Sequence, residues 1–184
     1  MFIQTEATPN PTTLKFLPGE TVLEGSPIDF RRESDFSFSP LAKRLFEIEG
    51  VDGVFLGADF ITVTKDNDDW QHLKPAVLGA IMEHYMSGAA VVEGLEPAPS
   101  GAEDFDEADA EIVSTIKELL DTRVRPAVAQ DGGDITFHGF KNGIVSLQMK
   151  GACSGCPSST ATLKHGIENL LKHFIPEIKE VRAV

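Results

Sequence analysis

The sequence predicts an α+β protein of two small domains, and three observations carry that reading. Short strand-like runs alternate with helical periodicity in two separate blocks, an acidic segment with no basic residue divides the blocks, and both cysteines of the chain fall in the second one. Residues 1–88 read as β-β-α-β-β-α, residues 110–184 as α-β-β-α-β, and residues 89–109 as a flexible acidic linker joining them. A chain of 184 residues with 41% hydrophobic content is long enough for two cores without disulfide staples.

In the first block, Phe2 to Thr5 and Thr13 to Phe16 read as strands around Thr8-Pro9-Asn10-Pro11, a stiff turn that excludes helix on both sides. Ser39-Pro40 supplies an N-cap and a first-turn proline for a helix carrying Leu41, Leu45, Phe46 and Ile48 and closed by Gly50. Val51 to Leu56 and Phe60 to Thr64 form a second hairpin about Gly57-Ala58-Asp59. Asp66-Asn67-Asp68-Asp69 then starts a helix from about Trp70 to Met86. The block holds no cysteine. His72 and His84 are twelve residues apart in that helix, which makes them surface or half-buried imidazoles rather than a ligand pair.

The second block opens with a helix from Ala110, whose apolar face is Ile112, Val113, Ile116, Leu119 and Leu120. Val124 extends that face, and Pro126 ends or kinks the helix. Asp131-Gly132-Gly133-Asp134 is a turn signal before a hairpin of Ile135 to Phe140 and Ile144 to Met149, joined at Lys141-Asn142-Gly143. A helix with Leu163, Ile167, Leu170, Leu171 and Phe174 on one face follows, and Ile178 to Val184 reads as a last strand beyond Pro176.

Charge is unevenly spread over this plan. Residues 1–88 carry 7 basic and 14 acidic residues, 89–109 carry 0 and 7, and 110–184 carry 9 and 8. A Gly- and Pro-containing run with seven acids and no base cannot bury enough apolar surface to order itself, and unstructured loops longer than about 12–15 residues are uncommon inside one domain. The formal net charge of -13 argues against a phosphate-backbone partner, which excludes nucleic acid as the expected ligand. No stretch approaches the roughly 18 apolar residues of a membrane span. Met1 to Glu6 have no basic or Arg/Ser-rich leader character. Composition therefore leads to the expectation of a cytoplasmic protein with no membrane partner.

Chemistry concentrates in Lys150-Gly151-Ala152-Cys153-Ser154-Gly155-Cys156-Pro157-Ser158-Ser159. A strand leads in and a helix leads out, so Cys153 and Cys156 occupy a strand-to-helix turn. Gly151 and Gly155 allow tight backbone there, and Pro157 suits the first helical position. The unpaired amides of a helix N-terminus favour thiolate, the form that binds metal or attacks disulfides. Four readings of the Cys-x-x-Cys pair stand at this point. Zinc or an ordinary iron–sulfur site needs four ligands, and one chain offers two. Two copies meeting at their cysteine turns would supply four thiolates, enough for a 4Fe-4S or 2Fe-2S cluster. A dithiol redox site fits the local strand-turn-helix form, and inert structural thiols are the fourth reading. His138, His165 and His173 show no ligand spacing with the cysteines, although His165 shares the helix that follows them.

The run Asp131-Gly132-Gly133-Asp134, then Gly151 to Ser159, then Thr162-Leu163-Lys164 and Gly166-Ile167-Glu168, resembles the C-terminal domain of NifU and the NifU-like (Nfu) proteins. Separately, Phe2 to Glu6 with Thr8-Pro9-Asn10-Pro11, Leu14-Lys15-Phe16, Ser39-Pro40-Leu41-Ala42, Gly53-Val54-Phe55 and Asp59 to Thr64 is similar to the Nfu-type N-terminal domain. The resemblance implies a non-enzymatic iron–sulfur cluster scaffold or carrier, with Cys153 and Cys156 as its only ligands. It implies a 4Fe-4S cluster shared by two chains, with 2Fe-2S as the alternative, and a homodimer formed on cluster binding. An upstream assembly scaffold would supply the cluster, and apo iron–sulfur proteins would accept it. Full-length NifU also has an N-terminal scaffold domain and a cysteine-rich middle that this chain does not show, so carriage is expected rather than assembly from a sulfur donor. A CxxC dithiol oxidoreductase is the alternative function.

Overall fold

The computed structural model describes residues 1–67, 69–94, 103–154 and 157–184. The chain divides into two compact units, Met1–Glu96 and Pro97–Val184. Each contains both helices and a sheet, the α+β class expected from the sequence.

The first unit is built on strands β1 (Gln4–Ala7), β2 (Thr13–Leu17), β3 (Ile28–Arg31), β4 (Val51–Leu56) and β5 (Ile61–Lys65). They lie in the order β1-β2-β5-β4-β3, every pair antiparallel. The opening hairpin is closed by side chains. Thr8 Oγ1 donates to the Thr13 carbonyl at 2.9 Å, and Asn10 Oδ1 accepts from the Thr12 amide at 3.1 Å. Helix α1 (Pro40–Phe46) begins at Ser39, whose Oγ accepts from the Ala42 amide at 3.1 Å. Helix α2 (Trp70–Ser87) begins at Asp69 and ends at Gly88, whose φ of 69° is the left-handed stop. Phe16, Phe30, Leu41, Leu45, Leu56, Ile61 and Ile81 are among the fully buried side chains of this core. Each contributes on the order of 1.5–3 kcal/mol by leaving water.

Three expectations are revised here. The strand β3 was not foreseen, because the alternation of Ile28-Asp29-Phe30-Arg31 is only four residues long and follows directly on Pro27. His84 is not at the surface; it is 0% exposed, in line with Leu73, Val77 and Ile81 on the inner face of α2, whereas His72 is exposed as expected. The acidic linker does not begin at 89, because Val91 and Val92 pack on the first core. Ser39 Oγ donates to the Val91 carbonyl at 2.8 Å, and the Glu93 amide donates to the Phe38 carbonyl at 2.7 Å.

Burial lowers the His84 pKa below its ordinary value, and the nearby Arg44 cation lowers it further, with the Ala89 backbone opposing them. From about a unit above pH 6.5 upward the imidazole is neutral folded or unfolded, and stability is indifferent to it. As pH falls from there toward the depressed folded pKa, the unfolded chain takes up a proton that the folded chain resists. Stability is then lost by up to about 1.4 kcal/mol per pH unit. Denaturation followed by the fluorescence of Trp70, the one tryptophan, reads this unit directly. The wild type is expected to lose stability between pH 7.5 and 5.5, and His84→Leu to lose measurably less. Equal losses would remove His84 from the acid limb.

The second unit has the sheet order β6-β7-β8-β9. It runs β6 (Asp104–Phe105), a 3₁₀ turn (Glu107–Asp109), α3 (Ala110–Leu119), a π-helical turn (Leu120–Val124), α4 (Arg125–Gln130), β7 (Gly133–Lys141), β8 (Ile144–Gly151), α5 (Pro157–Phe174) and β9 (Glu180–Ala183). Strands β7 and β8 form the expected antiparallel hairpin, and Asn142 and Gly143, with φ of 52° and 79°, make its tight turn. Strand β9 returns parallel to β8. Pro126 does not end the helix: the chain widens into the π turn and continues as α4 from Arg125, with Pro126 in its first turn.

Two more corrections belong to this unit. Strand β6 lies inside the expected linker and pairs parallel with β7, while Phe105 packs edge-on against Phe137 and Lys117 bonds Glu103. The segment expected to be free over 89–109 is thus fastened at both ends, by apolar residues that an average over an acidic window hides; residues 95–102 lie outside the described residues. Phe174, expected on the apolar face of α5, is 47% exposed, and Ile175 just beyond the helix is buried in its place.

Candidate metal centre

The cysteine turn is held from the strand side by three glycines. Strand β8 ends at Gly151, whose φ of 66° reverses the chain without the cost a Cβ would bring. Gly133, the first residue of β7, pairs with Gly151 in the ladder. The Ala152 amide donates to the Gly132 carbonyl at 3.2 Å, and the Ser154 amide donates to the Gly151 carbonyl at 3.0 Å. From the helix side, Thr160 Oγ1 in the first turn of α5 donates to the Cys153 carbonyl at 3.1 Å. Helix α5 begins at Pro157, the position expected for it.

Cys153 is 5% exposed and belongs to the same buried cluster as Ile135, Leu147 and Ile167. Its sulfur rests on the bare Cα of Gly133: a Cβ there would lie 2.6 Å from Cys153 Sγ, 2.8 Å from the Lys150 carbonyl oxygen and 3.1 Å from the Cys153 amide nitrogen. Cys156, the other expected ligand, and Gly155 lie outside the described residues. His138, His165 and His173 are all exposed. Among the described residues no group of three or more His, Cys, Asp or Glu side chains is gathered to hold a metal ion.

Beside this turn stands an ion pair that sequence reasoning missed. Asp134, 4% exposed, follows Gly133 in β7. It accepts from Arg125 Nε at 2.9 Å on one oxygen and from Nη2 at 3.0 Å on the other. Nη1 of the same guanidinium donates to Asp121 in the π turn at 3.0 Å. Hydrogen bonding to Asp134 raises the Arg125 pKa above its ordinary value, burial opposes this, and Asp121 adds to it. A separation of nine residues follows no helix or strand pairing rule, so only the Asp-Gly-Gly-Asp run itself carried a hint. The soft sulfur donors suit iron, and two thiolates per chain make four only when two chains meet.

Residues 3–88 match the family model described as the scaffold protein Nfu/NifU N-terminal domain, and residues 116–182 match the NifU-like domain. The human protein named NFU1 iron-sulfur cluster scaffold homolog, mitochondrial, is 53% identical over 186 residues, covering 100% of this chain and 72% of its own length. Its counterpart in Drosophila virilis is 52% identical, covering 100% of this chain and 62% of its own. NifU-like protein 4, mitochondrial, of Arabidopsis thaliana is 50% identical, covering 98% and 65%. This chain thus spans under two thirds of the fly and plant proteins. The relatives' names overturn the expectation of a cytoplasmic location, because all three are mitochondrial proteins. That expectation rested on composition and the first residues, and the composition of folded domains does not record a compartment. With both of its domains matched in order, and at this level of identity, the chain belongs to the NifU-like (Nfu) family of iron–sulfur cluster scaffold proteins.

Proposed function

We propose that this chain carries an iron–sulfur cluster, 4Fe-4S in the first place and 2Fe-2S as the alternative, held by Cys153 and Cys156 of two copies and released to apo-proteins. The observation that carries the reading is the placement of Cys153 between β8 and α5, its sulfur against a residue with no side chain. A carrier has opposite needs from an electron-transfer protein, whose cluster is ordinarily held for good by four cysteines of one chain. A cluster shared by two chains is lost when the pair opens or an acceptor thiol intervenes, so sharing is what makes it transferable. The cluster is cargo, and no bond of a substrate is turned over. An upstream scaffold supplies the cluster and apo iron–sulfur proteins accept it. The first unit, with its excess of acidic residues, selects acceptors by charge. The dithiol oxidoreductase alternative shares the strand-turn-helix placement but gains nothing from the relatives' names.

Anaerobic reconstitution with iron and sulfide, desalting, and Mössbauer spectroscopy with analysis of both elements test this reading. The expected product holds iron and sulfide in equal amounts, with the spectrum of a 4Fe-4S centre, and passes them to an apo 4Fe-4S enzyme that gains activity. A desalted protein without sulfide, or one that keeps its cluster in the presence of every acceptor, contradicts carriage.

A further inference from the structure

We propose that the Arg125–Asp134 ion pair is a positioning pair for Cys153, fixing the start of β7, and with it Gly133, against the cysteine sulfur. The inference rests on the cluster-carrier reading for its consequence but not for its geometry.

The corner that meets Cys153 is made of Gly132, Gly133 and Gly151, and Gly133 and Gly151 face each other in the ladder. Glycine brings the widest backbone freedom and no side chain to lock it. Further along β7, Ile135 and Phe140 are buried and hold their part of the strand by packing. The first side chain able to anchor the glycine end is Asp134, and what it reaches is a fork on another element. Arg125 grips both carboxylate oxygens from the start of α4 and is itself braced by Asp121 in the π turn. A bidentate fork fixes direction as well as distance, which a lysine ammonium cannot do. Gly133 tolerates no slack, since its Cα already borders Cys153 Sγ and the Lys150 carbonyl oxygen. Groups that hydrogen-bond a metal's ligands set affinity by about 10- to 100-fold, and this pair acts one residue further out, through Gly133.

The test uses the full chain with Arg125→Lys, Asp134→Asn and the apolar double variant Arg125→Met/Asp134→Leu. In the apo-protein, the alkylation of Cys153 by iodoacetamide is timed against that of Cys156 by peptide mass spectrometry. In the reconstituted protein, loss of cluster absorbance to an iron chelator is timed. Thermal melting monitors the fold. Arg125→Lys, which keeps the charge and loses the fork, is expected to raise the Cys153 to Cys156 alkylation ratio and to shorten the cluster lifetime, each by about 10-fold, while the melting point stays near that of the wild type. The double variant, matched to the wild type in melting, is expected to show the same fast Cys153. Wild-type ratios in Arg125→Lys and Asp134→Asn overturn the proposal, and so does a double variant whose restored stability also restores Cys153 protection, because the pair would then serve stability alone. If the double variant does not fold, Arg125→Lys decides. The alkylation measurement needs no cluster, so a wild type that takes up no iron would refute the carrier reading and leave this inference to be judged by its own result.

Discussion

Cys153→Ser and Cys156→Ser are each expected to abolish stable cluster binding while leaving the chain folded. No other cysteine exists in the sequence, so either change reduces two copies from four thiolates to two. A neutral serine hydroxyl does not replace a thiolate toward iron, which requires the deprotonated sulfur. The fold should survive because Cys153 contributes one small side chain to a core that also contains Val113, Ile116, Ile135, Leu147 and Leu171. A hydroxyl buried there costs about 1–3 kcal/mol, short of a typical domain's stability. Iron and sulfide counted after desalting, beside a thermal melt, give the answer. Wild-type iron in either variant would contradict ligation by the cysteines and turn attention to the exposed His165.

Gly133→Ala is expected to destabilise the second unit and to loosen its cluster together. The added Cβ would lie 2.6 Å from a sulfur and 2.8 Å from a backbone oxygen, and backbone cannot move aside as a flexible side-chain end would. Overpacking of this kind costs about 1–3 kcal/mol, and here the strain falls on Cys153 itself, so cluster retention should fall with stability. Gly166→Ala, in α5 of the same unit, is the control. Its Cβ would meet nothing within 4 Å, and replacing an open helical glycine should stabilise by about 0.5–1 kcal/mol. Denaturant melts of the two variants should therefore move in opposite directions. A Gly133→Ala protein as stable as the wild type, with its cluster intact, would remove the glycine from the site.

The elements that sequence made visible are those whose pattern is local. The β4–β5 and β7–β8 hairpins alternate or run apolar to a turn of the right chemistry, and Ser39-Pro40 and Asp69 mark the starts of α1 and α2; the stop did not read as well, since α1 ends at Phe46, ahead of Ile48 and the expected Gly50. What escaped depends on a distant partner. Strand β3 is an edge strand of four residues whose Asp29 and Arg31 pair with each other, leaving just Ile28 and Phe30 for the core, a pattern too short to stand out. Strand β6 is two residues in an acidic run and exists because β7 offers Gly139, where a Cβ would sit 2.8 Å from the Asp104 carbonyl oxygen. His84 could have been found, since it continues the spacing of Leu73, Val77 and Ile81, but a polar residue on an apolar stripe reads as an interruption. At the candidate site, the place of Cys153 between a strand and a helix was legible in the sequence. The fit of Gly133 under Cys153 and the reach of Arg125 to Asp134 were not, because both join residues that the fold, and not the sequence order, brings together.

Carriage as proposed requires two chains to share one cluster. Native mass spectrometry of the anaerobically reconstituted full chain tests it most directly, with iron and sulfide counted in the same sample so that a zinc-bridged pair is not mistaken for a loaded one. Because a ligand at an interface is linked to association by mass action, the apo-protein should be mainly monomeric and loading should produce dimers holding one cluster per two chains. A cluster bound one per monomer, with no dimer formed, would contradict the account.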